Sequence, residues 1–177
     1  MRRKLTRDRI RELMKAMAHS APRGRSFRVF FVGGGTAVHA GWRESTIDAN
    51  LYSDQEEVFQ DIQRIKESLN MKVEFARPEN FVPPLEGSEE RHVFIETVGR
   101  ISFYHYDPYA QLLSKVVRGF ERDMQDAESF LKSGMVAEKQ FRSLVLGIPD
   151  EAYAKYPAIS KKAVLVAVED FLSRFEG

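Results

Sequence analysis

One run constrains this chain more than any other: residues 27–53, where a strand-like segment meets three consecutive glycines and a second strand-like segment follows. Residues 27–32 (FRVFFV) are aromatic and β-branched, the composition of a strand. Gly33, Gly34 and Gly35 supply backbone that turns tightly and lets another group come close. Residues 36–42 fit two helical turns, and the chain returns as a strand over 46–52. Strand alternation there puts Thr46, Asp48 and Asn50 on one face and Ile47, Ala49 and Leu51 on the other. One face is built for a core, and the other carries polar groups.

The flanking sequence supplies the rest of an α/β unit. Thr6 is placed to cap a helix over 7–18, with Ile10, Leu13, Met14 and Met17 repeating at helical period. A polar loop, 19–26, leads into the first strand. Beyond the central run, Ser53 or Asp54 is expected to cap a helix that carries Val58, Ile62, Ile65 and Leu69 and stops at Asn70. Residues 71–76 read as a strand with Lys72 and Glu74 on one face, and the proline-rich 77–90 as a long loop. Residues 92–97 and 100–106 form a hairpin through Val98 and Gly99. Asp107-Pro108 then opens a helix by capping acid and first-turn proline. A continuous helix from there puts Lys115, Arg118 and Arg122 on one face and brings Asp123 and Asp126 beside them. The remainder holds a short helix around Phe141 and Leu144. After it comes a final helix capped by Ser160, with Val164, Leu165, Val168, Phe171, Leu172 and Phe175 patterned for docking on the body.

Composition narrows the function classes by exclusion. With 177 residues, 43% hydrophobic, 30% charged and a net charge of +1, the chain is globular in character and bulk charge names no partner. The absence of cysteine excludes a disulfide scaffold and a thiolate zinc site. No apolar run approaches the roughly 20 residues of a membrane helix, and the basic N-terminus is not followed by a signal-type stretch, so a cytoplasmic location is expected. His19, His39, His92 and His105 show no metal-ligand spacing and read as packing residues.

An apolar residue, two glycines, a gap of about a dozen residues and then acidic positions two apart on a strand resembles the signature of the polymerase-β-like nucleotidyltransferase superfamily. Val32-Gly33-Gly34 and Asp48-x-Asn50 stand at those places, and Arg43-Glu44-Ser45-Thr46 is similar to the lead-in of its minimal bacterial members. Val73-Glu74-Phe75 resembles the third motif. Lys115-x-x-Arg118-x-x-x-Arg122-Asp123-x-x-Asp126 resembles the downstream helix of toxin-like members of the AbiEii and MenT type and related uncharacterised proteins. The likeness spans residues 27–131 and departs at Asn50, where the family has a second aspartate. It implies an α/β (α+β) fold with a small mixed sheet flanked by helices. Residues 1–133 would form the nucleotidyltransferase-like domain, and 134–177 a helical C-terminal segment packed on it.

The same resemblance implies residue roles. Asp48, Asn50 and Glu74 would be the catalytic and metal-holding set, with Mg2+ as cofactor. Gly33, Gly34, Thr36, Arg43, Ser45, Lys115 and Arg118 would bind an NTP, the glycines through backbone N–H groups and the two cations by neutralising phosphate. The expected activity is transfer of an NMP to an acceptor, an RNA end such as that of a tRNA or a protein hydroxyl. A cognate antitoxin or toxin protein is the expected partner, with no membrane involved. Asn50 leaves a second reading open, because an amide oxygen can ligate a metal but brings no charge and cannot act as a base. On that reading the chain is a catalytically degenerate nucleotide-binding or interaction module of a toxin–antitoxin type system.

Overall fold

The computed structural model describes residues 4–174, which divide into two compact units. The first runs up to Arg77 and includes Val93–Tyr106; the second comprises Pro78–His92 and the chain from Asp107 onward.

The first unit contains α1 (Arg7–Ser20), β1 (Phe27–Val32), α2 (Gly34–Ala40), β2 (Asp48–Tyr52), α3 (Ile62–Leu69), β3 (Lys72–Phe75), β4 (Val93–Val98) and β5 (Ile101–His105). Its five strands form one mixed sheet in the order β3-β2-β1-β5-β4. β2 runs antiparallel to β1 but parallel to β3, and β1 is parallel to β5, which closes an antiparallel hairpin with β4. Phe27, Val29 and Phe31 of β1, Ala49 and Leu51 of β2, Val73, Ile101 and Phe103 all point to one face. There they join Ile10, Leu13, Met14 and Met17 of α1 and Ile65 of α3 in a single buried cluster. At about 1.5–3 kcal/mol for each large apolar side chain removed from water, this face holds the sheet and two helices together. The opposite face is left to polar and aromatic groups.

Helix α1 begins as its sequence requires, with Thr6 Oγ1 accepting from Arg9 N at 3.3 Å. Arg9 then donates to the carbonyl of Leu69, tying α1 to the end of α3. Asn70 stops α3 in a left-handed backbone (φ 55°), a conformation asparagine tolerates.

Several expected boundaries are corrected. The helix expected from Ser53 or Asp54 to Asn70 is a single 3-10 turn at Glu56–Phe59 followed by α3. Its intended start is occupied: Ser53 Oγ donates to Arg28 O at 2.6 Å, and Gln55 Oε1 accepts from Arg28 N at 2.9 Å. Those residues complete the hydrogen bonding of β1; Ser53 Oγ also accepts from Gln55 N at 3.1 Å, yet the first helical turn begins only at Glu56. Helix α2 opens at Gly34, two residues before the expected Thr36. β2 starts at Asp48 and not at 46, so Ile47, expected with Ala49 and Leu51 on the apolar side, is 59% exposed. Thr46 is held just ahead of the strand by a reciprocal backbone bridge to Leu5 at 2.7 and 2.9 Å.

The second unit carries α4 (Pro108–Arg118), α5 (Glu121–Lys132), α6 (Glu138–Leu146) and α7 (Lys161–Ser173). Asp107 caps α4 by accepting from Tyr109 N at 3.0 Å, as its sequence implies. Its carboxylate, fully buried, also takes a fork of bonds from Arg91 at 2.8–3.2 Å. The continuous helix expected through Lys115, Arg118 and Arg122 is broken instead. Gly119 adopts a left-handed backbone (φ 71°) that ends α4 at Arg118, so Arg122 lies on a different helix from the other two cations. Ser160 caps α7, and Val164, Val168, Phe171 and Leu172 are buried as expected; Phe175 lies outside the described residues. No helix among the described residues is long and apolar enough to cross a membrane.

Candidate functional site

The polar face of the sheet is set by register. β2 and β3 run parallel with Asp48 opposite Lys72 and Asn50 opposite Glu74. Residues paired in this way project to the same side, so four side chains form a square patch above the strands. Ala49, Leu51 and Val73, between them in sequence, are committed to the core on the other side. Asp48 is about one-quarter exposed, and Lys72 and Glu74 about one-half.

Inside the patch, the Lys72 ammonium stands 3.1 Å from Glu74 Oε1 and 3.8 Å from Asp48 Oδ2. The two carboxylates expected to hold metal therefore share a lysine. Lys72 was not among the expected site residues, although its position two before Glu74 was a usable signal: both belong to one strand face.

The glycine turn adjoins this patch. Gly33 (φ 64°) sits so close to Asn50 that a Cβ there would lie 3.4 Å from Asn50 Nδ2. Gly34 is demanded more strictly, because a Cβ would fall 2.1 Å from Thr46 Oγ1 and 2.8 Å from Thr46 Cβ. Only a residue without a side chain lets α2 start against the lead-in to β2. Thr46 Oγ1 in turn donates to Asp48 O at 3.2 Å, so the glycine contact and the start of the acidic strand are one construction.

Thr36 is fully buried with its side chain turned inward. Its hydroxyl is 3.2 Å from Phe31 O and 3.1 Å from His105 Nδ1. His105 is buried against the His39 ring at 5.4 Å, and burial, helped by His39, pushes its pKa down to about 3. Burial, with Arg7 and Arg11 adding to it against Glu96, lowers His39 as well. Arg43 and Ser45 are half-buried in the connection from α2 to β2, and Arg43 N donates to Ala37 O at 3.3 Å.

Lys115 and Arg118 belong to the second unit. The Lys115 ammonium is buried there, 3.1 Å from Asp126 Oδ2 and 3.6 Å from Asp123 Oδ1, and Arg118 Nε is 3.5 Å from Asp123 Oδ2. The guanidinium of Arg118 also lies over the rings of Phe81 and Phe120, both exposed. Sequence spacing did place the acids beside these bases. What it missed is that the chain turns at Gly119 to deliver them.

A five-stranded mixed sheet with a glycine turn feeding a short helix, and Asp48 and Asn50 two apart on the next strand, has the features of a nucleotidyltransferase-type fold. Residues 8–173 match the model of the family described as "Nucleotidyltransferase of unknown function (DUF6036)", and the chain belongs to that family. Among curated proteins and solved structures no match to this chain was found.

Proposed function

We propose that this chain transfers a nucleoside monophosphate from an NTP to an acceptor hydroxyl, using the sheet face that carries Asp48, Asn50 and Glu74. The carrying observation is the register that sets these three on one side, next to the turn at Gly33 and Gly34. Asp48 and Glu74 offer hard carboxylate oxygens and Asn50 an amide oxygen, a set that suits one divalent cation such as Mg2+. A bound Mg2+ would supply positive charge beside the reacting phosphate. The backbone of Gly33 and Gly34, with the first N–H groups of α2, would receive phosphate oxygens, and Arg43 and Ser45 lie on the connection between that helix and the acidic strand. Lys115 and Arg118, which the motif likeness would add for the distal phosphates, lie in the second unit and are paired there with Asp123 and Asp126.

The motif likeness to toxin-type members suggests an RNA end or a protein hydroxyl as acceptor and a cognate antitoxin as partner. A second reading, a nucleotide-binding or interaction module without turnover, is favoured by the donor set itself. Among the described residues, no group of three or more His, Asp or Glu side chains could hold a metal ion. Calorimetric titration with each NTP and Mg2+, beside a radiolabelled transfer assay, separates the two: binding with transfer supports the enzyme, and binding alone supports the module. Asp48→Ala is expected to abolish metal-dependent nucleotide binding. Unchanged affinity in that variant refutes the assignment of this face.

A further inference from the structure

Nucleotidyl transfer is commonly served by two divalent ions held among carboxylates, and the patch on β2 and β3 does not have the charge for that. Asp48 and Glu74 contribute two negative charges, Asn50 contributes none, and the Lys72 ammonium lies between the carboxylates at 3.8 and 3.1 Å. The four side chains carry one net negative charge, where carboxylates at all three positions and no lysine would carry three. Two features compensate in sense: position 50, which carries an amide and no charge, faces the strand that brings a cation.

We infer that Lys72 is a resident counter-charge which takes the place of one of the two divalent ions, so that this site holds at most one metal per chain. The inference rests on the reading of this face as the nucleotide site. Its physical basis is direct. An ammonium within 4 Å of both carboxylates neutralises the charge that a second cation would need, and it repels any divalent ion that approaches the same oxygens. Parallel register fixes the arrangement, because Lys72 is paired with Asp48 and cannot leave the face without unpairing β3. The side chain is half-exposed, so its flexible stem can carry the ammonium from the carboxylates toward a triphosphate when one binds. Lys72 thus serves as a charge-neutralising residue that needs no metal loading.

Titration of the full chain with Mn2+, followed by electron paramagnetic resonance of the free ion, tests this without reference to turnover. Wild type is expected to bind no more than one Mn2+ per chain. Lys72→Met, which keeps the stem and removes the charge, is expected to tighten Mn2+ binding about tenfold or more. Lys72→Arg is expected to stay near wild type, because a charge is retained. Two Mn2+ ions on wild type, or equal affinity (including none) in wild type and Lys72→Met, overturns the inference. The two proposals fail separately. Loss of the nucleotide site shows as Asp48→Ala leaving nucleotide binding intact; failure of the Lys72 role shows as an unmoved Mn2+ titration while nucleotide binding still depends on Asp48.

Discussion

His105 makes the stability of the first unit depend on pH in a calculable way. The side chain closes β5 on the core side of the sheet, 4% exposed, with Nδ1 3.1 Å from the buried Thr36 hydroxyl. Burial first, and the neighbouring His39 second, lower its pKa from 6.5 to about 3. The folded chain therefore keeps His105 neutral over a range in which the unfolded chain protonates it. For a group depressed in this way the stabilisation is fully present above pH 6.5 and is lost as pH falls toward 3. Between pH 7 and pH 5 the loss amounts to about 2 kcal/mol at ~1.4 kcal/mol per pH unit. It is insensitive to the folded pKa so long as that stays well below 5. Urea unfolding at the two pH values, in wild type and in His105→Leu, isolates the effect, since other groups contribute to both. The variant is expected to lose roughly 2 kcal/mol less than wild type over this interval. Equal losses in the two proteins would refute the claim that His105 is buried and neutral. Because Thr36 lies in the first turn of α2, which opens at Gly34, protonation of His105 would place charge beneath the proposed phosphate-binding backbone.

Three further outcomes follow from the packing and the charges. Gly34→Ala forces a methyl into Thr46 and is expected to destabilise the protein by about 1–3 kcal/mol or more, as overpacking does; a thermal melt unchanged from wild type would contradict the contact. Asn50→Asp is expected to tighten Mg2+ binding by calorimetry and to create or raise turnover, and no change in either would show that position 50 is not a ligand. Lys115→Met removes the buried ammonium from Asp123 and Asp126 and is expected to cost about 3–5 kcal/mol in urea unfolding. A near-neutral result would mean that the ion cluster is hydrated.

Much of the first unit was legible because its signals are local. Thr6, the apolar period of α1, the β-branched runs, Asn70 as a stop and Asp107-Pro108 as a start each act through a residue's own backbone preference. The family signature was legible too, because a strand fixes side-chain direction by counting in twos, and the spacing of Asp48 and Asn50 is such a count.

What failed were inferences that needed to know which distant group would claim a particular side chain. Ser53 looks like a helix cap until its hydroxyl donates to the carbonyl of Arg28 in β1. Gly34 looks like one of three interchangeable turn glycines until Thr46 is set against it. Lys72 looks like an exposed strand lysine until register lays it beside Asp48. The sequence by itself determined most of the helices and strands and their apolar faces, since those follow from dihedral preference and periodicity. Only the tertiary structure decided which charges meet across the sheet. Pairing across strands and around turns depends on register and chain reversal, and a residue's neighbours in space there lie 24 positions away, as Asp48 and Lys72 do.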